Sequence, residues 1–175
     1  MRKVGKKNQN GNSSNAFTAI IETPSGSRNK YVWDKKRTAF RLTKVLPAGM
    51  VFPYNFGFVP GTEADDGDPL DVLVLMDAPA FPGCILDCIL LGAIEAEQIN
   101  KKGKVVRNDR LIAADINDST FSNIASIEQL PTVLLDEIKA FFVNYNRVEG
   151  KKFKILRICE SRKAAKLIKK ARVHV

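Results

Sequence analysis

Apolar and polar positions divide the chain into short extended runs first and helical runs last. Phe17 to Glu22 (FTAIIE) is a brief apolar, β-branched run closed by an acid, and this pattern predicts a strand. The cluster Thr23-Pro24-Ser25-Gly26-Ser27 then turns the chain. Lys30 to Asp34 and Ala39 to Leu42 predict a second and a third strand, joined by the charged turn Lys35-Lys36-Arg37. Pro47 to Thr62 mixes prolines and glycines with Phe52, Tyr54, Phe56 and Phe58. That composition predicts an ordered, irregular segment, because flexible linkers are poor in aromatics. Asp71 to Leu75 (DVLVL) has the unbroken apolar pattern of a buried strand, and Pro79, Pro82 and Gly83 follow as breakers. Cys84 to Ile94 predicts a long central strand and Leu111 to Ala114 a shorter one. Pro131 to Asn146 has helical spacing, with Leu134, Ile138, Phe141, Phe142 and Tyr145 on one face and Pro131 in the first turn. Phe153 to Cys159 predicts a last strand, and Ser161 the cap of a basic helix from Arg162 to Arg172.

Many short strands followed by helix, strand and helix predict an α+β fold around a small, mostly antiparallel barrel. Alternating strand–helix units are missing, which argues against a doubly wound sheet. A length of 175 residues, 45% of them apolar, suits one domain with a sizeable core. No apolar run approaches the roughly 18–20 residues of a membrane span, so no membrane partner is expected. Residues 1–15 are basic and then polar and lack the apolar stretch of a secretory signal. They are expected to form a loosely ordered tail before a single domain at 16–175.

The net charge of +9 arises mainly near the two ends. Such a balance serves nucleic acid, a small polyanion or plain solvation. The basic ends carry no interleaved aromatics, so solvated surfaces are expected and a nucleic-acid partner is not. The cysteines Cys84, Cys88 and Cys159 are odd in number, and His174 is the only histidine. This excludes a full disulfide framework and is too poor for zinc, leaving buried reduced thiols in a cytoplasmic protein.

The sharpest chemical signal is the turn Asp65-Asp66-Gly67-Asp68-Pro69-Leu70-Asp71. Gly67 permits a sharp bend and Pro69 fixes the next backbone angle. Asp66, Asp68 and Asp71 then fall close together at the edge of a strand, and carboxylates so placed repel one another unless cations neutralise them. Hard oxygen donors favour Mg²⁺, with Mn²⁺ an alternative. The competing reading is an ordinary acidic surface turn, built from common turn residues. An EF-hand fits worse, since no Glu closes the loop. Glu22 and Lys30 face one another across a turn, either as an acid and amine with a shared task or as a surface ion pair.

Taken along the chain, these features resemble the soluble family I inorganic pyrophosphatases of short prokaryotic type. Asp66-Gly67-Asp68-Pro69-Leu70-Asp71-Val72-Leu73-Val74 matches that family's D-x-D-P-x-D-V-L-V signature. Ile21-Glu22-Thr23-Pro24, Lys30-Tyr31, Pro53-Tyr54-Asn55-Phe56-Gly57, Pro82-Gly83 and Phe141-Phe142-Val143-Asn144-Tyr145 support it, so the resemblance spans about Phe17 to Arg172. It implies a five-stranded OB-type β-barrel flanked by helices, assembled as a homohexamer, that hydrolyses pyrophosphate to two phosphates with several Mg²⁺ ions. It implies Asp66, Asp71 and Asp68 as metal ligands and Asp68 as general base. Glu22 would hold an outer metal ion or its water, and Lys30, Lys44, Arg110 and Tyr145 would contact the substrate.

Departures from the family pattern concentrate at polar site positions. Val32 stands for a Glu, Lys44 for an Arg, Phe52 and Phe56 for two tyrosines, and Asn146 for a Lys. On the loop past Gly92, Asn108 stands for an Asp and Arg110 for a Lys, which leaves Glu97 and Asp109 as candidate replacement ligands. Alternatives to hydrolysis are therefore a catalytically impaired member that binds metal or anions in a regulatory role, and a barrel that stacks single-stranded nucleic acid on its phenylalanines.

Overall fold

The computed structural model describes residues 15–173; most of the basic tail expected at 1–15, and His174, lie outside them. The order of elements is β1 (Ala16–Thr23), β2 (Asn29–Asp34), β3 (Ala39–Val45), β4 (Asn55–Phe58), β5 (Asp71–Leu75), β6 (Ile85–Ile99), β7 (Val105–Arg107), β8 (Arg110–Asp115), α1 (Thr132–Val148), β9 (Lys152–Glu160) and α2 (Ser161–Ala171). Strands β1, β4, β5, β8 and β6 follow one another in the sheet, and β1 also pairs β6, which closes a ring of five. Every pairing in the ring is antiparallel except β5 with β8, which run parallel. The expected α+β architecture with a small closed strand ring is present. β2 and β3 form a separate hairpin, and β6 runs past the ring to pair β7 and β9.

The alternation of side chains explains why β5 and β8 read as continuous apolar runs. Val72, Val74, Leu111 and Ala113 bury into one cluster, with Ala164 and Ile168 of α2. Leu73, Leu75, Ile112 and Ala114 bury into a second, with Ile138 and Phe142 of α1. Both faces are covered, as is usual for parallel strands, so neither strand carries a polar position within its apolar stretch. Charge is confined to the ends: Asp71 opens β5, and Arg110 opens β8.

Four expectations need correction. Asn55–Phe58 forms a strand inside the segment expected to be irregular. Gly57 carries it, because an added Cβ would lie 2.0 Å from the backbone oxygen of Ile20; only glycine lets β1 and β4 approach so closely. β6 continues five residues beyond the expected Ile94, to Ile99. Its register shifts near Gly92 and again after Glu95, and Glu95 is buried between Arg107 of β7 and Arg157 of β9. A charge inside the strand hid its continuation. Ser161 is the first residue of α2 rather than its cap, and its Oγ accepts a hydrogen bond from Asn15 Nδ2 at 3.1 Å. The thiols are free, but only Cys88 and Cys159 are buried; Cys84 is half-buried.

Gly57→Ala therefore forces β1 and β4 apart. The expected loss is about 3 kcal/mol, read as a lower urea midpoint with an unchanged transition slope. A midpoint equal to the parent's would show that the close approach is not needed.

Candidate active site

The ends of several elements converge on one cavity of about 310 Å³. Glu22 enters from the end of β1, Lys30, Val32 and Trp33 from β2, Phe56 and Phe58 from β4, and Asp71 and Arg110 from the starts of β5 and β8. The acidic turn adds Asp66 and Asp68, and α1 adds Tyr145 and, just past its last turn, Glu149. Residues far apart in sequence thus share one concave surface. The turn itself is tightly held. Gly67 takes a φ of 87°, Asp68 N–H donates to Asp66 Oδ1 at 3.2 Å, and Leu70 N–H donates to Thr62 Oγ1 at 3.0 Å.

The charges are strained in both directions. Burial raises the Glu22 carboxyl to about 7, against a 2.7 Å hydrogen bond from Trp33 N–H, and the Asp71 and Asp68 carboxylates raise it further. Asp66 is likewise raised, first by burial and then by Asp71 and Asp68. Burial lowers the Lys30 ammonium, which Asp71 and Glu149 partly restore. Lys30 Nζ lies 5.3 Å from the Tyr145 ring centroid and 5.9 Å from that of Phe56. Glu149 is held at about 2: burial works against its ionised form, but Lys44, whose Nζ donates to its Oε1 at 2.5 Å, outweighs it together with the neighbouring Tyr145 and Lys30.

Two buried polar atoms of cavity-lining residues lack a hydrogen-bond partner, Arg110 Nε and Tyr145 Oη. Both are donors. Burial and the neighbouring Glu149 push ionisation of the Tyr145 phenol far above its ordinary range, so it remains a donor. Orphaned donors in a cleft that also holds Lys30 suit an anion rich in acceptor oxygens. The carboxylates suit a hard cation: beyond burial, the charges of Asp71 and Asp68 raise both Glu22 and Asp66, and a cation would relieve that negative charge. Among the described residues, however, no three of His, Cys, Asp or Glu are drawn together tightly enough to hold an ion as they stand. One reason is visible: Arg110 Nη1 forms an ion pair with Asp71 Oδ2.

Of the residues expected from sequence, Glu22, Lys30, Asp66, Asp68, Asp71, Arg110 and Tyr145 all line the cavity. Lys44 does not; it reaches the site only through Glu149. Glu97 and Asp109 do not line the cavity: Glu97 pairs with Lys154 at 3.6 Å, and Asp109 accepts from Arg107 Nε and Ala96 N–H. Phe52 is core, 5.7 Å from the Tyr145 ring, and Phe56 is both core and wall. Sequence reasoning missed Glu149, although its i+4 spacing from Tyr145 at the end of a helix signals a shared face. It also missed Gln98, which lines the cavity beside Asn108 and carries no charge to mark it.

The family model for inorganic pyrophosphatase matches residues 19–175. The inorganic pyrophosphatase of Halalkalibacterium halodurans is 41% identical over 86% of this chain and 89% of its own length. That of Geobacillus stearothermophilus is 40% identical over 86% and 88%. Among solved structures, the inorganic pyrophosphatase of Thermus thermophilus superposes with a TM-score of 0.83 at 30% identity, covering 93% of this chain and 92% of its own. That of Helicobacter pylori gives 0.82 at 32%, covering 95% and 96%.

The raised Glu22 carboxyl predicts a pH effect on the metal-free protein. Its folded value of about 7 lies above the ordinary value of 4.5. Between the two, the folded chain keeps a proton that the unfolded chain releases, so Glu22's contribution to stability is full at low pH and is lost as pH rises through about 7. Glu22→Gln should remove that part of the slope in melting temperature between about pH 5 and about pH 8. Identical slopes in parent and variant would refute the burial argument.

Proposed function

The chain belongs to the inorganic pyrophosphatase family, and from that premise we propose that the cavity hydrolyses inorganic pyrophosphate to two phosphates with Mg²⁺ as its divalent metal ion. The observation that carries this reading is the pairing, in one cavity, of carboxylates with orphaned donors: Asp66, Asp68 and Asp71 on one side, Arg110 Nε and Tyr145 Oη on the other. A divalent ion is the family's cofactor, and Mg²⁺ suits an all-carboxylate donor set; Mn²⁺ is the substitute. Asp66, Asp68 and Asp71 would hold it. When bound it would neutralise phosphate charge and acidify water.

The chain's own residues divide the rest of the work. Asp68 is exposed and makes no ion pair among the described residues, so it is free to accept the proton of the attacking water. The water oxygen joins one phosphorus, the bridging P–O bond breaks, and its electron pair leaves with the second phosphate. Lys30, Arg110 and Tyr145 bind the phosphate oxygens and orient them. Lys44 acts from behind, by keeping Glu149 ionised next to Tyr145. Glu22, held by Trp33 N–H, gives an outer carboxylate for the ion or its water.

Residues 16–175 act as one domain, and the family match over residues 19–175 supports this. Self-assembly is supported by large apolar side chains left in solvent, Phe81 and Ile85 among them; the resemblance implies a hexamer. Free thiols support a cytoplasmic location. Among the described residues no helix is long and apolar enough to cross a membrane.

Phosphate release from pyrophosphate with Mg²⁺ tests the reading. Asp68→Asn should lower kcat by roughly 10²–10⁴-fold. Tyr145→Phe should lower kcat/KM by about 10²-fold while leaving thermal stability unchanged or higher, since the buried hydroxyl has no partner to lose. A parent protein without turnover, or an Asp68→Asn variant as active as the parent, would leave only a binding role for the site.

A further inference from the structure

The net charge of +9 is not spread over the chain. Residues 1–15 hold four basic side chains (Arg2, Lys3, Lys6 and Lys7), residues 161–172 hold six, and neither segment holds an Asp or Glu. Ten of the 28 Lys and Arg thus stand near the two ends, while the other 18 face all 19 Asp and Glu. The rest of the protein is close to neutral, and the whole excess belongs to these two segments.

The fold brings the two together. Asn15, the first described residue, donates from Nδ2 to Ser161 Oγ at 3.1 Å, and its backbone oxygen accepts from Leu90 N–H at 2.9 Å. The basic N-terminal segment therefore joins the domain at the first residue of α2. Lys7 is eight residues from Asn15 and so lies no more than about 29 Å from it, whereas α2 is about 16 Å long. Along α2, Arg162, Lys163, Lys166, Lys169 and Lys170 follow helical spacing on one exposed face, and Ala164 and Ile168 bury the other in the core. Among the described residues, none of these five cations pairs with a carboxylate. Carboxylates come near only at the ends of the helix: Glu160 precedes it, and Glu63 and Asp65 share a small crevice with Lys170. The arrangement opposes helix formation. Arg162 and Lys163 occupy a first turn that has no acid, at the positive end of the dipole, and cations three and four residues apart repel one another. An external polyanion would relieve both.

We propose that the exposed face of α2, with the basic segment that leads into Asn15, is a docking surface for double-stranded nucleic acid, held through its phosphate backbone without reading sequence. A row of unpaired cations along one helix face matches the repeated phosphates of a duplex. Neither segment contains an aromatic residue, so the bases of a single strand find no stacking platform there, which favours the duplex. A lipid surface fits less well, because the apolar side of α2 is already buried in the core and cannot enter acyl chains. Each basic end alone is a solvated surface; joined, and without carboxylates between them, they form a polyanion site. None of the five α2 cations lines the catalytic cavity, so the proposal is independent of the hydrolytic reading.

The test is the fluorescence anisotropy of a short labelled DNA duplex of mixed sequence, titrated with the full chain over a range of salt. The parent should bind with a Kd of about 10⁻⁴–10⁻⁶ M at physiological ionic strength and weaken steeply as salt rises. A variant with Lys163→Gln, Lys166→Gln and Lys169→Gln should bind at least about tenfold more weakly and flatten the slope of log K against log salt by about three. A variant with Arg2→Gln, Lys3→Gln, Lys6→Gln and Lys7→Gln should flatten it as well. Lys101→Gln, Lys102→Gln and Lys104→Gln together remove the same charge as the α2 variant from an exposed turn elsewhere, and should change binding by less than about twofold. The α2 variant should also keep the parent's melting temperature or exceed it, since like charges are removed from one helix face. The proposal is overturned by a parent that does not bind the duplex, by full binding in the α2 or the N-terminal variant, or by an equal loss in the 101–104 variant. It is likewise overturned by tighter binding of the single strand, or by capture on phosphatidylserine vesicles without binding of the duplex.

Discussion

The parallel pairing of β5 with β8 is the constraint on which the rest depends. Both strands are buried on both faces, so neither tolerates charge within its apolar stretch. Charge is admitted at their first residues, and the register brings those residues, Asp71 and Arg110, together. The strand ring closes around this pair through β1, β4 and β6. The cavity lies where it does because that is where the apolar strands stop.

Around that pair the site balances two opposite demands. Carboxylates gathered for a cation repel one another when it is absent: after burial, the charges of Asp71 and Asp68 are what raise Glu22 and Asp66. Donors gathered for an anion are left without partners when it is absent, which is visible in Arg110 Nε and Tyr145 Oη. Each half relieves part of the other's cost: Arg110 pairs with Asp71, Lys44 with Glu149, and Lys30 keeps part of its proton affinity through Asp71 and Glu149. Metal and pyrophosphate complete a balance that the protein holds only in part.

The substitutions that separate this chain from the family pattern fall into two physical groups. Phe52 and Phe56 trade hydroxyls for packing: their rings lie 5.5 Å apart, and Phe52 also packs on Phe141 and Tyr145. Asn108 and Asn146 trade charge for direction, joining through Gln98 into one line of hydrogen bonds that ends at Arg110. Val32 simply adds apolar wall to the cavity. The losses are thus connected in space, although they are scattered along the chain.

Sequence by itself determined the elements whose signal is local and repetitive, namely β1, β5, β8, α1 and β9, together with the acidic turn, because periodicity and turn chemistry act between near neighbours. It also marked the charged heart of the cavity: Asp66, Asp68 and Asp71 through their spacing in the acidic turn, and Glu22, Lys30, Arg110 and Tyr145 through the family resemblance. Only the tertiary structure decided that Asn55–Phe58 is a strand, since the reason is the close passage of Ile20 over Gly57. Only it decided that Lys44 pairs with Glu149, that Asp109 faces Arg107 rather than the cavity, and that Arg110 stands beside Asp71. Each of these depends on partners distant in sequence. Their direction is set by strand register and helix docking, and no local pattern records it.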